Sequence, residues 1–307
     1  MLETRLMVEG DFDEVAELIF LSTNSWYEAH LGHRIFTGRP EECRVFCEVY
    51  EDLDPESALV VENSATGAIV GSCFCHPRET HVSLGIMNVH PNYFGRGIAG
   101  RLLQQIIDLA ESRDLPVRLV SSALNLDSYS LYNRLGFVPF ATYQDLLLEI
   151  PEEGFEEPEQ ELPTVRPAEL PDLVEMGTVE FEVAGISRER DYCYFLENSK
   201  GLWETWVVED GKGGIDGFLV SLSHPASRMI GPGVCRTTDG AEALLRAQFD
   251  RFRGSAVVFL LPARENELIR RCYDLGARNC ELHFGQVRGE AQPIEGVVFP
   301  TFLPESG

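Results

Sequence analysis

The sequence predicts an α/β (α+β) protein of two tandem domains that share one plan of strands and helices. Three observations carry this. Strand-like and helix-like patterns alternate through residues 1–150. A proline- and glutamate-rich break, PEEGFEEPEQELP, then runs from Pro151 to Pro163 with little to bury. The second half repeats the order and spacing of the first, from a strand start at Thr164–Arg166 to a helix ending at Gly276. The predicted organisation is a first domain over 1–150, an acidic exposed linker over 151–163 and a second domain over 164–307. A length of 307 residues suits two domains.

In the first domain, Thr4–Met7 reads as a short strand. Asp11 precedes Val15, Leu18 and Ile19, whose spacing predicts an amphipathic helix running to Tyr27. A second helix is expected over Pro40–Leu53. Ala58–Glu62 and Ala68–His76 form a hairpin around Asn63–Gly67. His81–His90 is the next strand, and a glycine-rich turn follows it. Gly100–Ser112 is a helix with Leu102, Leu103, Ile106, Ile107 and Ala110 on one stripe. Val117–Ala123 reads as a buried strand. Ser128–Leu135 is a short helix closed by Gly136, and Phe137–Phe140 and Leu146–Ile150 are two closing strands. In the second domain, helices are expected at Leu170–Val179, Ala241–Phe252 and Asn266–Leu275. Strands are expected at Trp206–Glu209, Gly217–Ser223 and Ala256–Leu261.

Lysine and arginine total 25 against 50 aspartates and glutamates, a formal charge of −25. Such a chain repels phosphate backbones and anionic lipid, so nucleic acid and membrane partners are not expected. Glu3, Glu9, Asp11 and Asp13 interrupt any leader-like apolar run, and no window reaches the ~20 apolar residues of a membrane span. A soluble, cytoplasmic protein is the expectation. The eight cysteines include no CxxC pair. Cys73 and Cys75 share one strand face and read as small core residues, so no metal is expected.

The chemistry concentrates in Asn88–Leu103, NVHPNYFGRGIAGRLL. A helix N-terminus leaves backbone N–H groups unpartnered and adds partial positive charge. Glycines let those amides approach an anion without an intervening Cβ. The segment is therefore a socket for phosphate or pyrophosphate. It is not a P-loop, because GxxxxGK[ST] is absent. Downstream, Asn125-Leu-Asp-Ser128-Tyr-Ser-Leu131-Tyr132-Asn-Arg-Leu-Gly136-Phe137 follows after one helix and one strand.

The combination resembles the GNAT superfamily of acetyl-CoA-dependent N-acyltransferases. Phe94-Gly95-Arg96-Gly97-Ile98-Ala99 answers its Arg/Gln-x-x-Gly-x-Gly/Ala signature, with Phe94 where the family has Arg or Gln. That departure removes a side chain but not the amides. Asn125, Leu131, Tyr132, Gly136 and Phe137 match its second signature. The resemblance implies two tandem GNAT-like domains, each a mixed, mostly antiparallel sheet flanked by helices. It implies a bulge at Ile86-Met87-Asn88-Val89, where pantetheine pairs with exposed backbone, and pyrophosphate bound on Gly95 to Gly100. Asn125, with Ser128 beside it, would contact the cofactor or the start of the last helix. Tyr132 would protonate or stabilise the departing thiolate. A base for the attacking amine is expected on the preceding strand, where His81 and Ser83 share a face; Glu79 and His76 are alternatives. A strand amide near Met87 would serve as oxyanion donor.

By this matching, the second domain is expected to keep the fold without the site. Its turn, Val234–Leu245, is shorter, and aligning Gly276 with Gly136 puts Cys272 where Tyr132 stood. It is expected not to bind coenzyme A, and to shape the amine site or hold a homodimer. The expected function is acetyl transfer from acetyl-CoA to the primary amine of a small molecule or peptide. The alternative is a non-catalytic acyl-CoA-binding regulatory protein. Acceptor choice would rest on the first two helices and the loop with His30, His33 and Arg34.

Overall fold

The computed structural model describes residues 1–304. The chain forms two compact units, Met1–Leu119 and Val120–Thr301, and residues 302–304 count with the first.

In the first unit, strands β1 (Leu2–Leu6), β2 (Leu59–Asn63), β3 (Ala68–Pro77), β4 (Val82–Val89) and the start of β5 (Val117–Ser122) lie side by side in that order. Neighbours pair antiparallel except β4 and β5, which are parallel. Helix α1 (Phe12–Leu31) buries Val15, Leu18 and Ile19, the predicted face, and ends at Gly32 with φ 74°. Helix α2 (Arg44–Leu53) buries Val45, Phe46, Val49, Tyr50 and Leu53. Helix α3 (Ile98–Glu111) buries the predicted stripe from Leu102 to Ala110, together with Ile98. α1 and α3 cover opposite faces. Asn88, paired with Ser72, turns to Ser22 on α1, while the adjacent Gly71 meets Ile98 and Leu102 on α3.

The second unit continues with α4 (Leu126–Arg134), β6 (Val138–Glu149), β7 (Val165–Pro167), α5 (Leu173–Ala184), α6 (Glu189–Glu197), β8 (Trp203–Glu209), β9 (Ile215–His224), β10 (Ser227–Cys235), α7 (Thr238–Arg251), β11 (Ala256–Pro262), α8 (Asn266–Asp274), β12 (Arg278–Arg288) and β13 (Val297–Phe299). Its strand order is β12-β6-β11-β10-β9-β8-β7, with β13 on β10. Leu146, Leu148 and Ile150 of the β6 stretch share a core with Leu244, Leu245, Phe249, Phe259 and Leu261.

One expectation changes. The two closing strands of the first half are one, β6, because it finds antiparallel partners along both edges, β12 and β11. The compact units divide inside β5, because β6 is held between two strands of the second half. The 151–163 segment exposes its glutamates and is anchored on the second unit. Phe155 meets Phe249 edge-on at 5.9 Å, and Arg246 and Arg253 donate to the Glu156 and Glu153 carbonyls at 3.1 and 2.9 Å. α6, β10, β12 and β13 have no counterpart in the sequence reading. Among the described residues no helix is long and apolar enough to cross a membrane.

A Cβ on Gly71 would stand 2.7 Å from Ile98 Cγ2, so glycine lets the start of α3 sit close on β3. Gly71→Val is expected to cost about 1–3 kcal/mol by overpacking, read from the urea midpoint. An unchanged midpoint would contradict this contact.

Candidate functional site

β4 pairs with β5 only at Val82–Val117 and Ser83–Arg118, and beyond Ser83 the two strands part. On the other edge of β4 the register with β3 slips. Cys73 faces Met87 but Cys75 faces Leu84, so β4 carries one extra residue at Gly85–Ile86. The bulge thus begins one residue ahead of the expected Ile86–Val89. The reason is Tyr50 of α2, which packs on the bare backbone of Gly85. A Cβ there would meet Tyr50 Cε1 at 2.9 Å and Phe74 Cβ at 3.0 Å. The Ile86 N–H points to the Tyr50 hydroxyl at 3.4 Å. Past the bulge, Ile86, Met87 and Val89 are half-buried. Asn88 is buried, and its Nδ2 donates to Ser22 Oγ at 2.6 Å.

The chain then turns through a short helical turn, Pro91–Tyr93, into α3. Gly95 and Gly97 have φ of 73° and 75°, a backbone that glycine adopts without strain, and no atom lies within 4 Å of where a Cβ would be. Gly97 caps α3 with no side-chain hydrogen bond. The first intrahelical bond runs from Arg101 N–H to the Gly97 carbonyl at 3.1 Å, so Ile98, Ala99 and Gly100 present first-turn amides. Phe94 is 53% exposed on the rim. Arg96 does not reach over the turn: its guanidinium lies over the Tyr93 ring, 4.8 Å from the centroid.

At the apex where β4 and β5 part, a polar row crosses three strands. Ser83 is flanked in register by His76 on β3 and Arg118 on β5, all three buried. The Ser83 hydroxyl is buried and makes no hydrogen bond to the described residues. His76 Nδ1 lies 2.5 Å from Asp54, and Arg78 grips the same carboxylate at 2.7 and 2.9 Å. Tyr50 stacks on Phe74 and His76, with centroids 4.4 and 4.6 Å apart. Burial works to raise the Asp54 pKa, but the hydrogen bonds from His76 and Arg78 outweigh it and hold the carboxyl below its ordinary value. His81 sits one residue before β4, fully buried, with the Thr80 hydroxyl 3.0 Å from Nδ1. Glu79 is exposed in the turn. Cys73 and Cys75 are core residues, and burial pushes the Cys75 thiol up to about 12.

Tyr132, Asn125 and Ser128 belong to the second unit. Asn125 caps α4, its Oδ1 accepting from the Ser128 N–H at 3.0 Å. Tyr132 is buried on α4 with its ring 5.8 Å from Phe137. The loop after α1 is held by the buried Asn24, whose Oδ1 accepts from Ile35 and Phe36 at 3.1 and 3.0 Å. Nearby, His30 stacks on Trp26 at 4.5 Å, His33 lies 5.9 Å from Tyr27, and Arg34 pairs with Glu28.

Residues 23–137 match the model of the acetyltransferase (GNAT) family, and residues 182–290 match a second acetyltransferase (GNAT) domain. The chain belongs to the GNAT acetyltransferase family, as a tandem of two such domains. Solved structures of the same fold include a putative acetyltransferase from Pyrococcus horikoshii, 18% identical, covering 99% of this chain and 92% of that one, TM-score 0.73. A GCN5-related N-acetyltransferase from Sphaerobacter thermophilus is 22% identical, covering 96% and 97%, TM-score 0.64. A tandem GNAT protein from the clavulanic acid biosynthesis pathway is 16% identical, covering 95% and 100%, TM-score 0.62. A search of the curated proteins finds no match. This tandem GNAT protein is therefore an acyltransferase by family, and its fold is the mixed, mostly antiparallel one expected.

Sequence reasoning passed over Tyr50, Asp54, Arg78 and Arg118. Tyr50, Asp54 and Arg118 lie far from β4 in the chain, Arg78 lies in the short turn before it, and no local motif marks any of them.

Asp54→Asn leaves the buried Arg78 without its ion-pair partner and is expected to cost about 3–5 kcal/mol near neutral pH. The folded pKa of Asp54 is depressed, so its stabilisation is fully present above the unfolded value of about 3.9 and is lost as pH falls through the folded value. The stability gap between wild type and Asp54→Asn should therefore close below about pH 4. Melts showing a constant gap down to pH 2 would overturn the assignment.

Proposed function

We propose that this GNAT protein transfers the acetyl group of acetyl-CoA to the primary amine of a small molecule or peptide. The observation that carries the reading is the parting of β4 from β5 directly before an uncapped helix N-terminus. It leaves a strand edge for an amide-bearing chain and a ring of amides for a pyrophosphate. Acetyl-CoA supplies an activated thioester carbonyl. The amides of Ile98, Ala99 and Gly100, with those of Gly95 and Gly97, would hold the pyrophosphate. The β4 backbone at Met87, Asn88 and Val89 would pair with the pantetheine, and an amide near Met87 would face the carbonyl oxygen.

Amine attack forms the C–N bond and breaks the C–S bond. The amine must lose a proton and the sulfur must be stabilised. Of the candidate bases, His76 is the one oriented by a carboxylate: the Asp54 contact at Nδ1 fixes the tautomer and makes Nε2 the basic nitrogen. His81 and Ser83 then serve as the neighbouring wall, with Ser83 beside His76 in register. Tyr132 keeps the role that the family resemblance implies, giving a proton to the departing thiolate.

Thiol release from acetyl-CoA, measured against a panel of primary amines, tests the reaction. Turnover with at least one amine is expected. Binding without release for every amine would favour the regulatory alternative. Tyr132→Phe should lower turnover roughly 10²–10⁴-fold with coenzyme A affinity nearly intact, and equal turnover would refute its role. His76→Gln should remove the acidic limb of the kcat/KM pH profile while His81→Gln leaves it. The reverse pattern would assign the base to His81.

A further inference from the structure

In the second repeat, β10 corresponds by order to β4, β11 to β5 and α7 to α3. β10 shows the same two departures. It pairs with β11 only at Met229–Val258 and Ile230–Phe259, then parts from it. Its register with β9 slips between Ile230 and Gly233, where Ser221 and Leu219 are the facing residues. The edge left open is nevertheless taken. β13 lies antiparallel on β10, with Gly233 opposite Phe299, Val234 opposite Val298 and Cys235 opposite Val297.

We propose that the second repeat's acyl-CoA groove is filled by the chain's own strand β13, so that each chain holds one acyl-CoA site. Four features support this. Met229–Cys235 and all of β13 are buried, whereas Ile86, Met87 and Val89 on β4 are half-buried. Two glycines bracket the contact. Gly231 has φ 135°, and a Cβ there would lie 2.6 Å from the Pro300 carbonyl oxygen; a Cβ on Gly296 would lie 2.5 Å from the Cys235 oxygen. Only residues without Cβ allow the two segments so close. The anion end is closed as well. Thr237 caps α7, its hydroxyl accepting from the Gly240 N–H at 3.2 Å, whereas Gly97 offers α3 no such group. Asp239 in the first turn of α7 adds a carboxylate where a phosphate would need to approach. Finally, Cys272 stands four residues before Gly276, as Tyr132 stands before Gly136, and is a buried core thiol.

Hydrogen exchange of the full chain by mass spectrometry, with and without coenzyme A, tests the proposal. Without ligand, amides 233–235 should exchange roughly tenfold or more slowly than amides 87–89, because only the former lie between two strands. Coenzyme A should slow exchange at 87–89 and 95–100, leave 231–240 unchanged, and titrate at one equivalent per chain. Equal resting exchange in the two segments, ligand-induced slowing at 231–240, or two equivalents would each overturn it. The ligand arm rests on the acyl-CoA reading of the first repeat. No effect of coenzyme A anywhere would sink that reading, while the resting comparison still decides this one. Gly231→Ala should speed exchange at 233–235 and 297–299 and leave acetyl transfer unchanged. Unaltered exchange in that variant would count against the plug. Should the variant not fold, the unsubstituted protein decides.

Discussion

The parting of β4 from β5 after Ser83 is the constraint on which the functional architecture rests. A strand in a sheet interior satisfies its N–H and C=O groups on both edges. Once β5 turns away, the β4 edge must find another partner. The bulge at Gly85–Ile86 holds the parting open, and it stands because Gly85 has no side chain and Tyr50 occupies that space. Tyr50 is in turn fixed against His76, and His76 against Asp54, which Arg78 also grips. One missing Cβ thus couples the shape of the cleft to the orientation of the imidazole at its apex.

Charge leaves backbone amides as the route by which an anion would be held. The chain carries −25, and no lysine lies near the turn. Arg96, the cation within it, lies over Tyr93. What remains for a phosphate is the amide ring of Gly95 and the first turn of α3, where the helix dipole opposes the net field. Phe94 follows from the same logic. With amides as the binding groups, the position would tolerate an apolar side chain, and the Phe94 ring is half-exposed.

The two repeats share the same sheet defect and use it in opposite ways. In the first, the strand edge is backed by half-buried residues and followed by an uncapped helix. In the second, β13 pairs with the strand edge and Thr237 caps the helix. An unpaired edge buried without a partner is costly. The second repeat meets that cost from within the chain, because β13 supplies the hydrogen bonds.

Local features were legible in the sequence: the stripe of α3, the glycine turn into it, the Gly136 stop and the β2–β3 hairpin. Each depends on residues within a few positions of one another, and periodicity or turn chemistry reports such contacts directly. The family resemblance likewise rests on two short motifs. The exchange of β6 between β11 and β12, the seating of β13 on β10, and the Asp54–His76–Arg78 cluster had no sequence signature. They join residues 22 to 149 positions apart in the chain, or strands whose pairing partner is chosen by which edge is vacant. The sequence by itself determined the glycine-rich turn into α3 and what surrounds it locally. Only the tertiary structure decided which strand edge stays unpaired beside it, because edge pairing is settled by long-range competition among strands.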